Sequence, residues 1–246
     1  MPGLVILSGP SCIGKTPLLK ALRRFYPTVA ANLRPLVLYN DRSPRPGEAD
    51  GTAYHFRPRH YIEELDGKHG YVVLPVRRDL QALEIAQVLQ ALDEGLNPVF
   101  EGNAYIAEAL LSAGELLHVP KLSCFMSPLN LDEIMYLQAQ PDMDLPQVVR
   151  EIMREKLIRR TTRHKGVLTD QDYGDIEARC DAAYSELEYA PQFDWILPNH
   201  DGEDSDNWEL AGYPLGEARR CLQDFAAILQ GIPPQWAEKW PLELFG

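Results

Sequence analysis

Strand-like and helix-like spacings of apolar residues alternate along the chain. Short apolar runs that predict strands occupy residues 4–7, 37–39, 71–74, 97–101, 122–126 and 195–197, of which 37–39 is expected in a small subdomain rather than in the central sheet. Helical patterns occupy residues 18–25, 80–92, 104–113, 145–165, 175–189 and 216–229, with further helices near 61–65 and from about 131. Alternating strands and helices favour a parallel sheet with right-handed crossovers, so the pattern predicts an α/β fold.

A glycine-rich loop lies between the first predicted strand and the first predicted helix. Residues 9–16 fit G-x-x-x-x-G-K-[ST] without a mismatch, in the strand–loop–helix context that this phosphate-binding motif requires. Its backbone N–H groups form an anion cradle at a helix N-terminus. We therefore predict a P-loop NTPase-type parallel sheet flanked by helices, with a site for ATP and Mg²⁺. The predicted ATP-binding residues are Gly9, Ser11, Cys12, Ile13, Gly14, Lys15 and Thr16, with Lys15 reaching the β- and γ-phosphates and the Thr16 hydroxyl ligating the metal.

Composition narrows the class of protein. The net charge of −12 over 246 residues argues against a general nucleic-acid-binding protein, because such proteins neutralise phosphates with a basic surface. The chain enters its first strand almost at once and has no apolar run of about 18 residues, so we expect no signal peptide and no membrane-spanning helix. The four cysteines are scattered, which indicates reduced thiols in a cytoplasmic protein. Cys12 either fills a variable position of the loop or is an oxidisable thiol.

Charge is concentrated in two later segments. The predicted helix 145–165 carries a basic cluster in an otherwise acidic protein. It is either a solvated helix face or a surface that covers phosphates. The acidic stretch 201–206 is interpreted as a solvated loop. The apolar tail 232–246 contains three large aromatic side chains, and we expect it to dock on its own domain rather than to bind a partner. These aromatic residues are Trp236, Trp240 and Phe245.

A second basic motif lies between residues 42 and 56. Arg42 and Arg45 stand close together on a loop stiffened by prolines, so their guanidinium groups can converge on one phosphate dianion. Tyr54 can add a hydroxyl donor. Together with the glycine loop, this motif predicts a second phosphate site, for a small-molecule acceptor that carries a phosphate. We therefore expect a small substrate-facing subdomain in this part of the chain.

Both motifs resemble those of the guanylate kinase family, which opens with G-P-S-x-x-G-K-[ST] and continues with T-T-R-x-P-R-x-G-E-x-x-G-x-x-Y-x-F. The first is matched here over 9–16 and the second over 42–56, and weaker similarity continues to about residue 201. The resemblance implies a core of residues 1–29 and 75–201. It also implies an NMP-binding subdomain at about 30–74, a helical lid at about 138–175, and a C-terminal helical extension at 202–246.

The same resemblance implies roles for individual residues. It implies that Arg42, Arg45, Tyr54, Glu101 and Asn103 bind the acceptor and that Asn199 contacts the adenine of ATP. The catalytic residues implied are Lys15 and the lid arginines. The arginine that bridges the donor and acceptor phosphates is one of Arg159, Arg160, Arg163 and Arg179.

The residues that read the base in this family are not matched. Leu38 stands where the family has a serine, Val73 stands where it has a glutamate, and no Y-G-[ST] follows. A site built on hydrogen bonds loses its discrimination when those hydrogen bonds are removed. The residues that bind phosphates in the family are therefore matched in this chain, whereas the residues that recognise the base are replaced.

The resemblance implies an enzyme, a nucleoside monophosphate kinase that moves the γ-phosphate of ATP onto a GMP-like or modified purine nucleotide. It would act as a monomer or homodimer, without a nucleic-acid or membrane partner. A ribose-phosphate kinase of the same superfamily is one alternative, because such an acceptor needs no base pocket. A non-catalytic guanylate-kinase-like binding module is another, although the intact Lys15–Thr16 and Arg42–Arg45 pairs favour catalysis.

Overall fold

Strands and helices alternate along residues 3–44, 48–52 and 54–246, the parts of the chain that the computed structural model describes. The strands are β1 (Leu4–Ser8), β2 (Leu33–Pro35), β3 (Leu38–Asn40), β4 (Tyr54–Phe56), β5 (Tyr71–Val76), β6 (Asp79–Glu84), β7 (Asn97–Gly102), β8 (Lys121–Ser127) and β9 (Trp195–Pro198). The helices are α1 (Lys15–Phe25), α2 (Pro27–Ala30), α3 (Arg59–Glu63), α4 (Ile85–Asp93), α5 (Ala104–Ser112), α6 (Leu131–Gln138), α7 (Leu145–Lys165), α8 (Asp170–Leu187) and α9 (Gly216–Leu229). Among these described helices, none has the length and apolar character needed to cross a membrane.

The strands named above form two sheets. The larger sheet has five strands in the order β2-β7-β1-β8-β9, and its parallel pairs place Pro35 opposite Val99 and Phe125 opposite Ile196. β1 is buried along its whole length, as an unbroken apolar run requires. This parallel sheet is flanked by helices and the glycine loop follows β1, so the predicted P-loop NTPase-type fold is confirmed. The smaller sheet has the order β4-β3-β6-β5, with β3 parallel to β4 and β6 antiparallel to both β3 and β5.

One predicted helix begins later than the spacing of its apolar residues indicates. Residues 80–84 belong to β6, and α4 begins at Ile85. Leu80 and Ala82 are buried in a cluster with Ile62, while β3 and β5 pair with β6 on its two sides. The prediction of a helix over 80–84 is wrong, because pairing with distant strands outweighs a local pattern that fits both structures.

Helix ends follow the capping chemistry of the chain. The predicted bounds of α7 and α9 agree with the structure, but α8 begins at Asp170, earlier than the predicted residue 175. Thr169 caps this helix: its side chain accepts a hydrogen bond from the backbone N–H of Asp172, and the Asp172 carboxylate accepts one from the N–H of Thr169. This reciprocal pair satisfies N–H groups that a helix start leaves without partners, so the helix extends to it.

The chain divides into two compact units, Met1–Ile6 with Asn32–Leu122 and Leu7–Ala31 with Ser123–Gly246. The first unit contains the smaller sheet and the second basic motif. The second unit contains the glycine loop and the helices α7 and α8, which pack against each other. The segment 202–246 therefore belongs to the same unit as the glycine loop.

The C-terminal tail docks on the second unit, as predicted. The buried Asp224 carboxylate of α9 accepts hydrogen bonds from the backbone N–H groups of residues 235–237. The backbone of Glu238 then forms an antiparallel bridge with Ile196 of β9, and Trp240 is buried. A carboxylate that accepts several backbone hydrogen bonds holds a turn tightly, so the tail is part of the fold of this unit.

Candidate active site

The glycine loop after β1 adopts backbone conformations that only specific residues allow. Gly9 has φ 137° and Gly14 has φ 112°, both in the left-handed region that favours glycine. A Cβ atom on Gly9 would collide with the carbonyl oxygen of Met126, so glycine is required there for space as well. Cys12 also has positive φ, 71°. The loop before α1 therefore contains three residues with positive φ, Gly9, Cys12 and Gly14.

Lys15 is the first residue of α1, and its ammonium group folds back over the loop. Its Nζ donates hydrogen bonds to the carbonyl oxygens of Gly9 at 2.5 Å and Pro10 at 2.8 Å. The first turn of α1 contains no acidic residue, so the positive end of the helix dipole is not neutralised locally. Thr16 follows and is exposed. A lysine, backbone N–H groups and a helix N-terminus at one place form an arrangement suited to a polyphosphate.

A segment just beyond β9 supports the loop from outside. Asn199 is fully buried, and its Nδ2 donates to the carbonyl oxygen of Ile13 at 2.6 Å. The backbone N–H of Glu203 donates to the carbonyl oxygen of Cys12 at 2.8 Å. The resemblance implied contact between Asn199 and adenine, whereas the structure places its side chain against the loop backbone. These contacts hold the loop backbone at Cys12 and Ile13.

Cys12 is buried, as are the other cysteines, and all four are free thiols. Burial raises the pKa of Cys12 to about 12, although the nearby Arg160 guanidinium lowers it. Its Sγ donates to the carbonyl oxygen of Lys156 at 3.4 Å. Because the thiolate is the reactive form of cysteine, this environment favours the interpretation of Cys12 as a residue that fills a loop position.

The acidic stretch 201–206 is paired with the basic helix α7. Arg160 lies 2.9 Å from Glu203 Oε2, and Arg159 Nε lies 2.9 Å from Asp204 Oδ2. Asp204 keeps only 2% of its side chain exposed. The prediction of a solvated loop is therefore wrong. These opposite charges are far apart in the sequence and meet only because the chain folds. The composition of the acidic stretch by itself therefore does not reveal its ion pairs.

Most cations on the basic face of α7 are paired with carboxylates, and the interpretation of this face as a surface that covers phosphates stays a prediction. Arg163 donates to the carbonyl oxygen of Asp204 at 2.8 Å and pairs with Asp206. Other pairs link α7 to α8: Arg150 and Arg154 with Glu177, and Lys165 with Asp172. Arg179 lies on α8 and is half-buried. The role of a phosphate-bridging arginine remains a prediction for these residues.

His200 links two helices to the segment that supports the loop. Its Nδ1 lies 2.9 Å from Glu217 Oε2 on α9, and its Nε2 lies 2.7 Å from Glu133 Oε2 on α6. The hydrogen bond with Glu217 and the one with Glu133 raise the pKa of His200 to about 9, although burial acts in the opposite direction. His200 is therefore an imidazolium near neutral pH. Its two ion pairs hold the segment that contains Asn199 against α6 and α9.

Replacing His200 with glutamine is expected to cost stability in a pH-dependent way. The pKa of His200 in the folded chain is about 9, above the unfolded value of about 6.5. Its ion pairs therefore contribute fully below about pH 6.5, and this contribution is lost as the pH rises through about 9. Because 38% of the side chain is exposed, we expect the variant to be about 1 kcal/mol less stable near pH 6, with the difference vanishing near pH 9.5.

Urea unfolding at several pH values measures this difference in the free energy of unfolding. The matched control is His118→Gln, at an exposed position, whose stability should follow that of the wild type throughout. A difference between His200→Gln and wild type that stays constant from about pH 6 to about pH 9.5 would show that the His200 ion pairs add no stability.

The second basic motif lies in the first unit. Arg42 forms a two-pronged ion pair with Glu48, with both nitrogen–oxygen distances 2.7 Å. Its guanidinium carbon lies 5.1 Å from the centre of the Tyr54 ring. Arg45 lies outside the described residues. Sequence reasoning did not single out Glu48, although an acidic residue that follows basic residues within one short motif was a signal for such a pair.

Glu101 and Asn103 lie at the carboxyl end of β7, where α5 begins. Asn103 caps that helix, since its Oδ1 accepts a hydrogen bond from the backbone N–H of Ile106 at 3.0 Å. Its Nδ2 donates to Gln81 Oε1 at 3.4 Å, and both side chains are buried. Sequence reasoning missed Gln81; its signal was a polar side chain inside an apolar run.

Comparison with known proteins identifies relatives over most of the chain, although no family model matches it. A guanylate kinase of Thiobacillus denitrificans is 28% identical over 234 residues, which are 94% of this chain and 87% of the relative. A guanylate kinase of Alkalilimnicola ehrlichii is 27% identical over 207 residues, 82% of this chain and 83% of the relative. Over most of its length the chain is therefore similar to guanylate kinases. Among solved structures, the guanylate kinase from Anaplasma phagocytophilum is similar with a TM-score of 0.49 and 16% identity, covering 81% of this chain and 78% of that one.

The chain differs from the guanylate kinase pattern at packed positions. Leu38 is buried, and Val73 packs against the cluster that contains Ile62. Polar groups stand nearby in the smaller sheet, where Asn40 pairs with Gln81 across β3 and β6. The Nδ2 atom of Asn40 is buried without a hydrogen-bond partner among the described residues. The first unit therefore has buried amide side chains, Asn40 and Gln81, in the same sheet as Leu38 and Val73.

Proposed function

We propose that this chain is an ATP-dependent nucleoside monophosphate kinase. The observation that carries the proposal is the loop 9–14, whose backbone reverses at Gly9, Cys12 and Gly14 and ends at the N-terminus of α1 under the Lys15 ammonium group. Similarity to guanylate kinases over most of the chain supports the same class of reaction.

The reaction we propose is a direct transfer of a phosphoryl group. An oxygen of the acceptor phosphate bonds to the γ-phosphorus of ATP, and the bond from this phosphorus to the β–γ bridging oxygen breaks. ADP leaves with the electron pair of that bond. The attacking oxygen is already anionic, so the protein needs no general base; it positions two anions and neutralises their charge. Lys15 and the loop N–H groups perform this for the donor phosphates.

Thr16 is the residue that we assign to Mg²⁺. Its hydroxyl oxygen is a hard ligand of the kind that Mg²⁺ prefers, and it is exposed in the first turn of α1. Within the described residues, no group of three or more His, Cys, Asp or Glu could hold a metal ion. That composition fits a cation bound mostly by phosphate oxygens. When bound, Mg²⁺ supplies positive charge against the β- and γ-phosphates.

Arg159, Arg163 and Arg179 are the arginines that we assign to the transferred phosphoryl group. Arg159 and Arg163 contact the loop 203–206. Phosphate oxygens and carboxylates are both good partners for a guanidinium group. A triphosphate bound at the glycine loop would therefore compete with these carboxylates for Arg159 and Arg163.

For the acceptor, we assign its phosphate to Arg42, Arg45 and Tyr54, and its remaining part to Glu101 and Asn103. The curated relatives named guanylate kinase favour GMP or a related purine nucleotide. Leu38 and Val73 cannot accept hydrogen bonds from guanine through their side chains. We therefore infer that the base is read by amide groups such as that of Asn103, which both donate and accept hydrogen bonds.

One observation favours a second candidate, a ribose-phosphate acceptor. Leu38 is buried and Val73 packs in an apolar cluster, so both are accounted for by the core of the first unit. An acceptor without a base would need no hydrogen bonds at these positions. The Arg42–Glu48 pair and Tyr54 would still be available to recognise a sugar phosphate.

The test is ADP release measured with ATP, Mg²⁺ and a panel of acceptors: GMP, dGMP, AMP, IMP, XMP, UMP, CMP and ribose 1,5-bisphosphate. We expect turnover with a purine monophosphate, and turnover at least about 10³-fold slower when the Lys15→Ala variant replaces the wild type. Turnover with ribose 1,5-bisphosphate alone would establish the second candidate instead. No turnover with any acceptor, by protein that still binds ATP, would contradict the kinase and favour a binding module.

A further inference from the structure

Trp208 lies beyond the residues that resemble the family motifs, yet it contacts the glycine loop. It ends a short 3₁₀ turn, Asp206–Trp208, and its ring is buried. A Cβ atom built on Gly14 would lie 3.0 Å from the ring atom Cζ2 of Trp208. The indole therefore borders the glycine that immediately precedes Lys15.

A second path joins the same indole to the middle of the loop. The Nε1–H of Trp208 donates to the carbonyl oxygen of Gly202 at 2.7 Å. The next residue, Glu203, donates its backbone N–H to the carbonyl oxygen of Cys12 at 2.8 Å. Gly202 has φ 72°, and a Cβ atom on it would lie 3.1 Å from that same oxygen. The turn at 202–203 is thus held between Trp208 and Cys12.

The 3₁₀ turn that carries Trp208 is itself fixed by hydrogen bonds. Asn207 Nδ2 donates to Asp201 Oδ1 at 2.8 Å, and the carbonyl oxygen of Asn207 accepts from the backbone N–H of Leu215 at 2.8 Å. The side chain of Ser205 caps the turn by accepting from the N–H of Asn207. Trp208 is therefore presented to the loop by a braced element, as precise positioning requires.

We propose that Trp208 is a positioning residue for the triphosphate of ATP. This inference rests on the proposed function. The indole sets the position of Gly14 by direct contact, and it sets the position of Cys12 through the Gly202–Glu203 turn. These two residues have positive φ and flank Ile13, so their placement determines where the loop N–H groups point. A small displacement of donors that hold a reacting group can cost a large factor in rate.

Two substitutions separate the contributions of the indole. Trp208→Phe keeps an aromatic ring beside Gly14 but removes the Nε1–H donor to Gly202. Trp208→Ala removes both. Trp236→Phe is the matched control, because it also removes an indole from the second unit but at a half-buried position of the tail.

Titration calorimetry with ATP and Mg²⁺, without acceptor, measures the Kd directly, and steady-state assays give the KM of each substrate. We expect Trp208→Ala to raise the Kd for ATP at least about tenfold and Trp208→Phe about threefold. The KM for the acceptor should stay within about twofold of wild type, and Trp236→Phe should match wild type in every constant. A role confined to core packing would lower the folded fraction, and therefore the apparent kcat, while leaving the Kd for ATP unchanged.

An unchanged Kd for ATP in folded Trp208→Ala would overturn the proposal. If that variant does not fold, Trp208→Phe alone decides: a Kd within experimental error of wild type overturns the proposal, and the threefold rise supports it. The binding measurement needs no turnover. A wild-type chain that binds ATP but phosphorylates no acceptor would refute the kinase, and the comparison at Trp208 would still be read from the Kd.

Discussion

Replacing Lys15 with alanine is expected to lower kcat by about 10³-fold or more, equivalent to about 4 kcal/mol of transition-state stabilisation. The Nζ of Lys15 reaches the loop carbonyls at 2.5 and 2.8 Å, so its charge lies directly over the proposed phosphate cradle. Charge grows on the oxygens around the transferred phosphoryl group, and a positive charge placed there in advance stabilises it. The variant loses that charge without gaining a clash.

Steady-state ADP release with saturating ATP and acceptor measures this effect. Lys20→Ala is the matched control, because Lys20 lies on the same helix but is exposed to solvent; its kcat should stay within about twofold of wild type. Circular dichroism and thermal unfolding establish that both variants are folded. A kcat for folded Lys15→Ala within about tenfold of wild type would remove Lys15 from the proposed catalytic role.

Gly14→Ala is expected to abolish measurable ATP binding and to destabilise the chain by about 3 kcal/mol. A Cβ atom on Gly14 would lie 2.6 Å from Asn199 Nδ2 and 3.0 Å from the Trp208 ring. Asn199 cannot move away without breaking its hydrogen bond to Ile13, because that same Nδ2 is the donor. The φ of 112° at Gly14 is also unfavourable for alanine. Strain and collision therefore act at the same residue.

Gly212→Ala separates these two causes. Gly212 has φ 72°, and nothing lies within 4 Å of a Cβ atom built on it. This control carries left-handed strain without a collision, so we expect it to cost about 1 kcal/mol and to leave the Kd for ATP unchanged. Urea unfolding and calorimetry on both variants provide the comparison. Equal losses of stability in the two variants, with ATP binding kept in both, would mean that the side chains of Asn199 and Trp208 move aside at little cost in free energy.

The glycine loop and the order of the main elements were predictable because their signals are local. The motif 9–16 encodes a strand–loop–helix unit in its own residues, since only glycine tolerates the backbone of Gly9 and Gly14 at little cost. The bounds of α7 and α9 were also predictable. Each of these helices is long enough for its pattern to outweigh neighbouring signals.

The surroundings of the loop were not predictable in the same way. The amide of Asn199 holds the carbonyl oxygen of Ile13, a contact that the sequence did not predict, and its contact with adenine stays a prediction. Trp208 carried no sequence signal for a place beside Gly14. Both contacts join residues that are far apart along the chain, and no periodicity or short motif records such a distance.

By itself, therefore, the sequence determined the phosphate loop, the α/β class and the alternation of elements, because backbone conformation and apolar periodicity depend on neighbouring residues. Only the tertiary structure decided that residues 80–84 form a strand, since that requires β3 and β5 on either side. It also decided that the acidic stretch 201–206 pairs with the arginines of α7. The physical reason is the same in both cases: the partner that stabilises each segment is brought to it by the fold, and its strength depends on burial and distance that the linear chain does not contain.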